Sequence, residues 1–311
     1  MEVPEMHRIL VTGGRGFIGT NLTRELRSRG HDVWTCDILQ GEDEKHFKAD
    51  VAAYRQMESI LERHSFAYVY HLAAEYGRWN GEDHYENLWR TNVIGTKHML
   101  ELQRRFRFSM IFFSSAEVYG DYEELMTEDV MDRIPIKQMN DYAITKWAGE
   151  LQCLNAATMF GTETVRVRPV GCYGPREHYS RYRGVIPIMT YHCLNRKPFK
   201  VYRGHKRIFD YVEDTCRTFA NIVDNFIPGE VYNVGGREEW ATDIEELAKI
   251  ILQETNADPR LAEYETAEPF TTRVKLVDFS KARRDLKHDP QIDIRTGIRR
   301  YVAWMKSVYS N

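Results

Sequence analysis

The feature that most constrains this chain is a glycine turn wedged between a strand pattern and a helix pattern. Ile9-Leu10-Val11 reads as part of a buried parallel strand from Arg8 to Thr12. Gly13-Gly14-Arg15-Gly16-Phe17-Ile18-Gly19 follows at once, and a helical pattern runs from Phe17 to Arg29, ended by Gly30. The turn satisfies GxGxxG at Gly14, Gly16 and Gly19, and GxxGxxG at Gly13, Gly16 and Gly19. Glycines let the backbone bend sharply and approach a pyrophosphate, whose charge then faces the helix N-terminus. Asp37 lies about 20 residues on, at the end of the next strand pattern (Asp32 to Cys36). An acid there accepts hydrogen bonds from an adenosine ribose and repels a 2′-phosphate, which favours NAD over NADP. Arg15 is the base near the turn that argues the other way.

The rhythm continues through the first half. Tyr54 to His64 is helical, Tyr68 to Leu72 a strand, Tyr85 to Arg105 a long amphipathic helix, and Met110 to Ser114 a strand. Tyr142 to Phe160 is helical and Glu163 to Arg168 a strand. Alternation of this kind predicts an α/β fold, a doubly wound parallel (Rossmann) sheet. After Pro169 the texture changes: Gly174-Pro175 breaks the chain and a basic, tyrosine-rich loop follows from His178 to Arg183. A helix (Pro187 to Asn195) and strands near Phe199 to Tyr202, Arg207 to Val212 and Val231 to Val234 come next. Residues 1–170 are expected to form the dinucleotide-binding domain. Residues 171–311 are expected to form mainly a smaller C-terminal substrate-binding lobe, with 211–236 returning to the sheet.

Other residues fit a cofactor's path. Asp50 could meet the adenine amino group, with Val51 beside it, and Leu72-Ala73-Ala74 ends a strand in small residues that let a cofactor pass close to the backbone. Roughly 130 residues beyond the glycine turn stands Tyr142-Ala143-Ile144-Thr145-Lys146, preceded by Ser114-Ser115-Ala116-Glu117. Tyr142 and Lys146 are four apart and share a helix face. A neighbouring ammonium favours the phenolate, which can accept a hydroxyl proton while a nicotinamide takes the hydride. Ser115 can hydrogen-bond the same hydroxyl. Glu117 is placed to abstract a carbon-bound proton made acidic by a neighbouring ketone, or to act as a structural acid at the strand end.

Composition excludes some classes. A net charge of −3 with acids and bases interspersed gives no polyanion-binding surface, so no nucleic-acid partner is expected. No apolar stretch approaches the ~20 residues of a membrane span. The five cysteines are scattered, with no CxxC pair, so reduced thiols and no metal site are expected. With no signal-peptide pattern, a cytoplasmic location follows as the expectation.

These motifs together resemble the extended short-chain dehydrogenase/reductase family, in its nucleotide-sugar epimerase/dehydratase branch. The likeness rests on TGGRGFIG (12–19), Asp37, HLAA (71–74), Thr91-Asn92, SSAEVYGD (114–121) and YAITK (142–146). In the second half it rests on RPVGCYGPR (168–176), PFKVY (198–202), RIFDYV (207–212), VYNVGG (231–236) and RVKLVDFSKA (273–282). The resemblance implies an NAD-dependent enzyme that opens by oxidising a sugar at C4, with Ser115, Glu117, Tyr142 and Lys146 as catalytic residues. It implies cofactor contacts from Gly13, Gly16, Phe17, Ile18, Gly19, Asp37, Asp50, Val51, Leu72, Ala73, Ala74, Asn92, Tyr142 and Lys146. For a nucleotide-diphosphate sugar it implies Glu75, Tyr76, Gly171, Arg183, Val201, Arg207 and Arg273.

Ser115, Ala116 and Glu117 fall where hexose 4,6-dehydratases carry a hydroxyl residue, a second residue and a Glu. The dTDP-glucose type has Asp where this chain has Ala116, although GDP-mannose dehydratases manage without it. The loops at 75–79 and 173–184 resemble those of GDP-mannose 3,5-epimerases, which brings a GDP-manno- or heptose-type sugar into view. Dehydration is the leading expectation, with 4-dehydrogenation, 4-epimerisation and decarboxylation as alternatives. A non-enzymatic dinucleotide-sensing scaffold is the alternative of another class. In the resembling family, helices like those at 85–105 and 142–160 pair across a two-fold axis, so a homodimer is expected.

Overall fold

The computed structural model describes residues 5–309. Seven strands form one parallel sheet: β1 (Arg8–Thr12), β2 (Asp32–Asp37), β3 (His46–Lys48), β4 (Tyr68–His71), β5 (Ser109–Phe113), β6 (Thr164–Pro169) and β7 (Val231–Val234). Their spatial order is β3-β2-β1-β4-β5-β6-β7. The chain leaves β1 toward β2 and later returns to β1's other side with β4, Thr12 lying between Cys36 and His71. Reversal of strand order opens a crevice at the carboxyl ends, where ligands of doubly wound sheets bind.

Burial on both faces explains why the strands are nearly continuous apolar runs. Side chains alternate across the sheet, so Ile9 and Val11 pack with Leu22 and Leu26 of α1 (Phe17–Ser28) and with Phe219 of a later helix. Leu10 points the other way, into a cluster with Met57 and Leu61 of α2 (Tyr54–Arg63), Met99 and Leu102 of α3 (Thr96–Phe106), and Cys153 of α4 (Asp141–Phe160).

Three expectations change in detail. The long helix expected over Tyr85–Arg105 is interrupted: α-helical turns at Tyr85–Trp89 pass into a wider π-helical stretch, Arg90–Gly95, before α3. Asn92 and Thr96 are both buried along this stretch, and Gly95 sits so tightly on Val51 that an added Cβ would come within 2.8 Å of Val51 Cγ2. Such bulges occur often at functional sites. The three-residue edge strand β3, too short to show an alternation, went unpredicted.

The single strand expected at Arg207–Val212 is instead two short pieces. Lys206–Arg207 pairs antiparallel with Thr242–Asp243, and Asp210–Tyr211 pairs with Cys172–Tyr173. Val212 already begins α6 (Val212–Asp224), which follows α5 (Val185–Leu194) in the chain and carries Glu213 and Asp214 in its first turn, where acids suit the helix dipole. A second core gathers Ile186 and Met189 of α5, Phe199, Val201, Leu247 and Ile251 of α7 (Ile244–Thr255), and Ile298 and Tyr301 of α8 (Ile294–Tyr309). Among the described residues no helix is long and apolar enough to cross a membrane.

Candidate active site

The glycine turn leaves β1 with Gly13 at φ +67°, a left-handed conformation, and a Cβ there would lie 2.9 Å from the Ala73 backbone. At Gly19 an added Cβ would stand 2.1 Å from the Gly13 carbonyl oxygen. The first turn of α1 thus packs directly under the loop. Gly16 precedes the first helical residue, and Phe17 and Ile18 open the helix, so their N–H groups face the crevice end of the dipole. Asp37 ends β2 beside the loop, its carboxylate accepting from Arg15 N (3.0 Å) and Leu39 N (3.0 Å). A cradle that side chains would fill, at a helix N-terminus with an anchored acid opposite, fits an adenine dinucleotide.

The neighbouring wall comes from β4 and the π turn. Thr12 Oγ1 accepts from Ala73 N (3.1 Å) and meets His71 Nδ1 (2.9 Å), which holds Leu72-Ala73-Ala74 alongside the glycine turn. Burial, aided by the Lys146 charge, pulls His71 down to about 3, so the ring is neutral. Asn92 is buried, and its amide is committed to protein: it donates to Glu75 O (3.0 Å) and Thr145 Oγ1 (3.1 Å) and accepts from Glu75 N (2.8 Å). With both N–H bonds so used, Asn92 fixes the shape of this wall. Asp50 likewise accepts from Ala52 N (2.8 Å) and pairs with Arg90 (3.0 Å), and Val51 is buried beneath Gly95.

The structure brings Ser115, Tyr142 and Lys146 together at the carboxyl end of β5. The Ser115 hydroxyl lies beside the Tyr142 phenol and favours its ionised form, but burial dominates and, with Tyr76 and Glu117, pushes the phenol above its ordinary range. Lys146 Nζ donates to Phe113 O (2.7 Å) and stands 5.9 Å from the Tyr142 ring centroid. The ammonium expected to favour the phenolate is therefore engaged with the strand end. Burial pulls Lys146 down to about 7, against the opposing pull of Glu150.

Glu117 also faces this space, and it is paired. Lys275 Nζ donates to its Oε1 at 2.6 Å. Burial works against the Glu117 charge, but Lys275, then Arg78 and Arg207, outweigh it and hold the carboxyl at about 2. For Lys275 the balance runs the other way: burial outweighs its partner, so the ammonium releases its proton more easily than a free lysine.

The substrate-side expectations divide. Tyr76 meets Tyr142 edge-on, with ring centroids 5.5 Å apart, and the Arg183 guanidinium lies 5.3 Å over the Tyr76 ring, so these residues share one wall with Tyr142. Glu75 is held near them through Asn80 (3.0 Å) and Asn92. The Val201 side chain is wholly buried in the second core, because alternation on its strand turns Phe199 and Val201 inward, which leaves its backbone as the part that could face a ligand. The Arg207 guanidinium donates to the carbonyls of Lys206, Thr272 and Arg273, and so braces the 271–273 loop. Arg273 is exposed on that loop. Gly171 is exposed at φ +57°, and a Cβ there would lie 2.1 Å from Ile208 O, so the turn itself requires glycine.

Sequence reasoning did not single out Lys275, the Arg78–Glu268 pair (2.6 Å) or the Glu150–Arg168 pair (2.8 Å). A Glu one turn beyond Lys146 was visible in the sequence; that Lys275 would meet Glu117 across 158 residues was not.

Such a sheet, with a dinucleotide cradle at its switch point and a Ser, Tyr and Lys converging on the next strand ends, defines a dinucleotide-dependent enzyme acting on an alcohol. The model of the NAD dependent epimerase/dehydratase family matches residues 9–235. The chain belongs to that family of NAD-dependent enzymes, as the sequence resemblance implied.

Its relatives differ in chemistry. It is 28% identical to a UDP-N-acetyl-alpha-D-glucosaminuronate decarboxylase of Bacillus cytotoxicus (97% of this chain, 98% of the relative). It is 30% identical to a probable dTDP-glucose 4,6-dehydratase of Sinorhizobium fredii (96% and 92%). Among solved structures it superposes on a UDP-glucose 4-epimerase of Thermotoga maritima bound to UDP-glucose, with a TM-score of 0.86, 26% identity and coverage of 97% and 99%.

Proposed function

We propose that the protein oxidises C4 of a nucleotide-diphosphate hexose and then removes water across C5 and C6, as a 4,6-dehydratase. The observation that carries this reading is the Glu117 carboxylate, ionised and half-buried beside the Ser115–Tyr142 pair with Lys275 at 2.6 Å. A pure C4 dehydrogenase needs no carbon base at that place. Bound NAD, held by the glycine turn and Asp37, would supply a reversible hydride acceptor, so that the hydride taken from C4 could go back to the sugar at C6. Tyr142 takes the C4 hydroxyl proton as a phenolate, a form that the positive charge of bound NAD would favour over the protonated phenol, with Ser115 orienting that hydroxyl. Once C4 is a ketone, the C5 proton is acidic and Glu117 removes it; the C6–O bond then breaks as the hydroxyl leaves with a proton. Ala116 offers no acid for that step. Lys275, whose proton is loosened by burial, is the donor we assign.

Tyr76, Arg183 and Glu75 line the sugar side in this reading, and residues 171–311, apart from the return to the sheet, form the nucleotide-sugar lobe. A second reading, decarboxylation of a uronate, draws on the same ammonium, since Lys275 could hold a C6 carboxylate. Mass spectrometry of products from UDP-glucose, dTDP-glucose, GDP-mannose and UDP-glucuronate, run in D₂O, tests both. Loss of water with deuterium at C5 supports dehydration. Loss of carbon dioxide replaces it with decarboxylation. Accumulating NADH with no deuterium at C5 replaces it with C4 dehydrogenation.

We further propose a cytoplasmic homodimer. Tyr85, Trp89, Ile94, Leu151 and Leu154 are exposed on the two helical segments expected to pair. A monomeric mass by light scattering at micromolar concentration would overturn the dimer.

A further inference from the structure

Three successive turns of α4 dock on one strand end. Tyr142 meets Ser115, Lys146 donates to the carbonyl of Phe113, and Glu150 accepts from the hydroxyl of Ser114. Glu150 is completely buried, and its charge is matched from β6: Arg168 donates Nε to Oε1 and Nη2 to Oε2, both at 2.8 Å, and Arg166 reaches Oε2 at 3.3 Å. Arg168 also donates to Tyr119 Oη (2.8 Å) and to Glu128 O (3.0 Å), so the carboxylate sits in a fixed network. We propose that Glu150 is a positioning residue of the hydride-transfer site: it holds the strand end that carries Ser115 against Tyr142, and its carboxylate is the negative charge facing the Lys146 ammonium one helical turn away. This rests on reading Tyr142 and Lys146 as the proton-transfer pair.

The surroundings of Lys146 make that charge matter. From its own helix it is faced by Tyr142 and Glu150, from the end of β4 by His71, and from β5 by the Phe113 carbonyl and the Phe112 ring at 5.6 Å. Tyr142 is protonated and His71 neutral, so neither offsets the burial that loosens the lysine proton. Glu150 does. Without its charge, Lys146 loses its proton at lower pH, and the active form disappears as pH rises through that value.

The experiment uses the full chain loaded with NAD and the most active sugar of the panel above. Glu150→Gln is expected to move the alkaline limb of kcat/KM to lower pH by about one unit, the scale of one neighbouring charge. Glu150→Asp, which keeps the charge but retracts it, is expected to leave the limb in place while lowering kcat. Ser114→Ala removes the strand contact alone and is expected to lower kcat about fivefold or more with no change in the limb, so the positional role stays testable if Glu150→Gln does not fold. NMR titration of lysines carrying ¹³C at Cε, with the signal absent from Lys146→Arg, reads the Lys146 midpoint without any substrate. An unmoved limb and midpoint in Glu150→Gln, with kcat within twofold of the parent, would overturn the inference, as would a lowered melting temperature with no kinetic change. Tyr142→Phe separates the two levels: if it keeps full turnover, the underlying reading fails; if it does not, only the role of Glu150 is in question.

Discussion

Removing the ammonium beside Glu117 gives the most direct view of how this site holds its carbon base. Lys275→Met keeps most of the buried side-chain volume and deletes the charge at 2.6 Å. The drop from the ordinary 4.5 to about 2 at Glu117 corresponds to about 3 kcal/mol favouring the ionised form. The net worth of the pair is smaller, because Lys275 bears its own burial cost. The sign follows from the lowered value: this stabilisation is complete above about pH 4.5, and it is lost as pH falls through about 2. In Lys275→Met the burial of Glu117 is opposed only by the more distant Arg78 and Arg207, so its pKa rises by about 2–3 units. The parent should then keep its C5 deuterium exchange down to the acid limit of folding. The variant should show a new acid limb in the range of ordinary or raised carboxylates, together with slower product release of water from C6. Exchange of solvent deuterium into C5, followed by NMR from pH 4 to 8, reads the limb directly. A variant with the parent's flat profile and rate would refute the claim that Lys275 governs Glu117.

Tyr142→Phe should leave NAD binding nearly intact and cut turnover about 10²–10⁴-fold, as expected for a positioned acid–base group; substrate-dependent absorbance at 340 nm and a separate NAD titration check both parts. Titrations should favour NAD over NADP by about 10²-fold, since a 2′-phosphate would be set against the anchored Asp37 carboxylate, a like-charge contact costing several kcal/mol; equal affinities would point instead to the exposed Arg15. Gly19→Ala, whose Cβ would lie 2.1 Å from Gly13 O, should destabilise the fold by about 1–3 kcal/mol and weaken NAD binding, measurable by thermal denaturation with and without NAD.

Local chemistry was legible in the sequence. The strand, the glycine turn and α1 are contiguous, and their geometry follows from residues within a few positions of one another: a left-handed Gly13, a Gly19 pressed on the loop, a helix that begins at Phe17. Tyr142 and Lys146 share a face because four residues make one helical turn, and Ser115 reaches them because β5 and α4 are successive elements of one βαβ rhythm. The alternation of strands and helices was enough to set the fold class, and the motif order was enough to indicate the family.

What the sequence could not determine are the contacts between residues far apart along it. The Glu117–Lys275 pair spans 158 positions, Arg78 meets Glu268 across 190, and Arg207 turns its donors onto carbonyls 65 or 66 residues away. No periodicity encodes such pairings, because they depend on how the C-terminal lobe packs over the sheet. For the same reason the sequence did not show which way Val201 faces: a valine in a strand looks alike whether its side chain meets a ligand or a core, and packing with Leu247 and Ile251 turns it inward. Nor did the amphipathic pattern at 85–105 reveal the π turn, since one extra residue per turn barely disturbs a helical stripe. Tertiary structure placed that turn where Gly95 meets Val51 and where Asn92 can clasp Glu75.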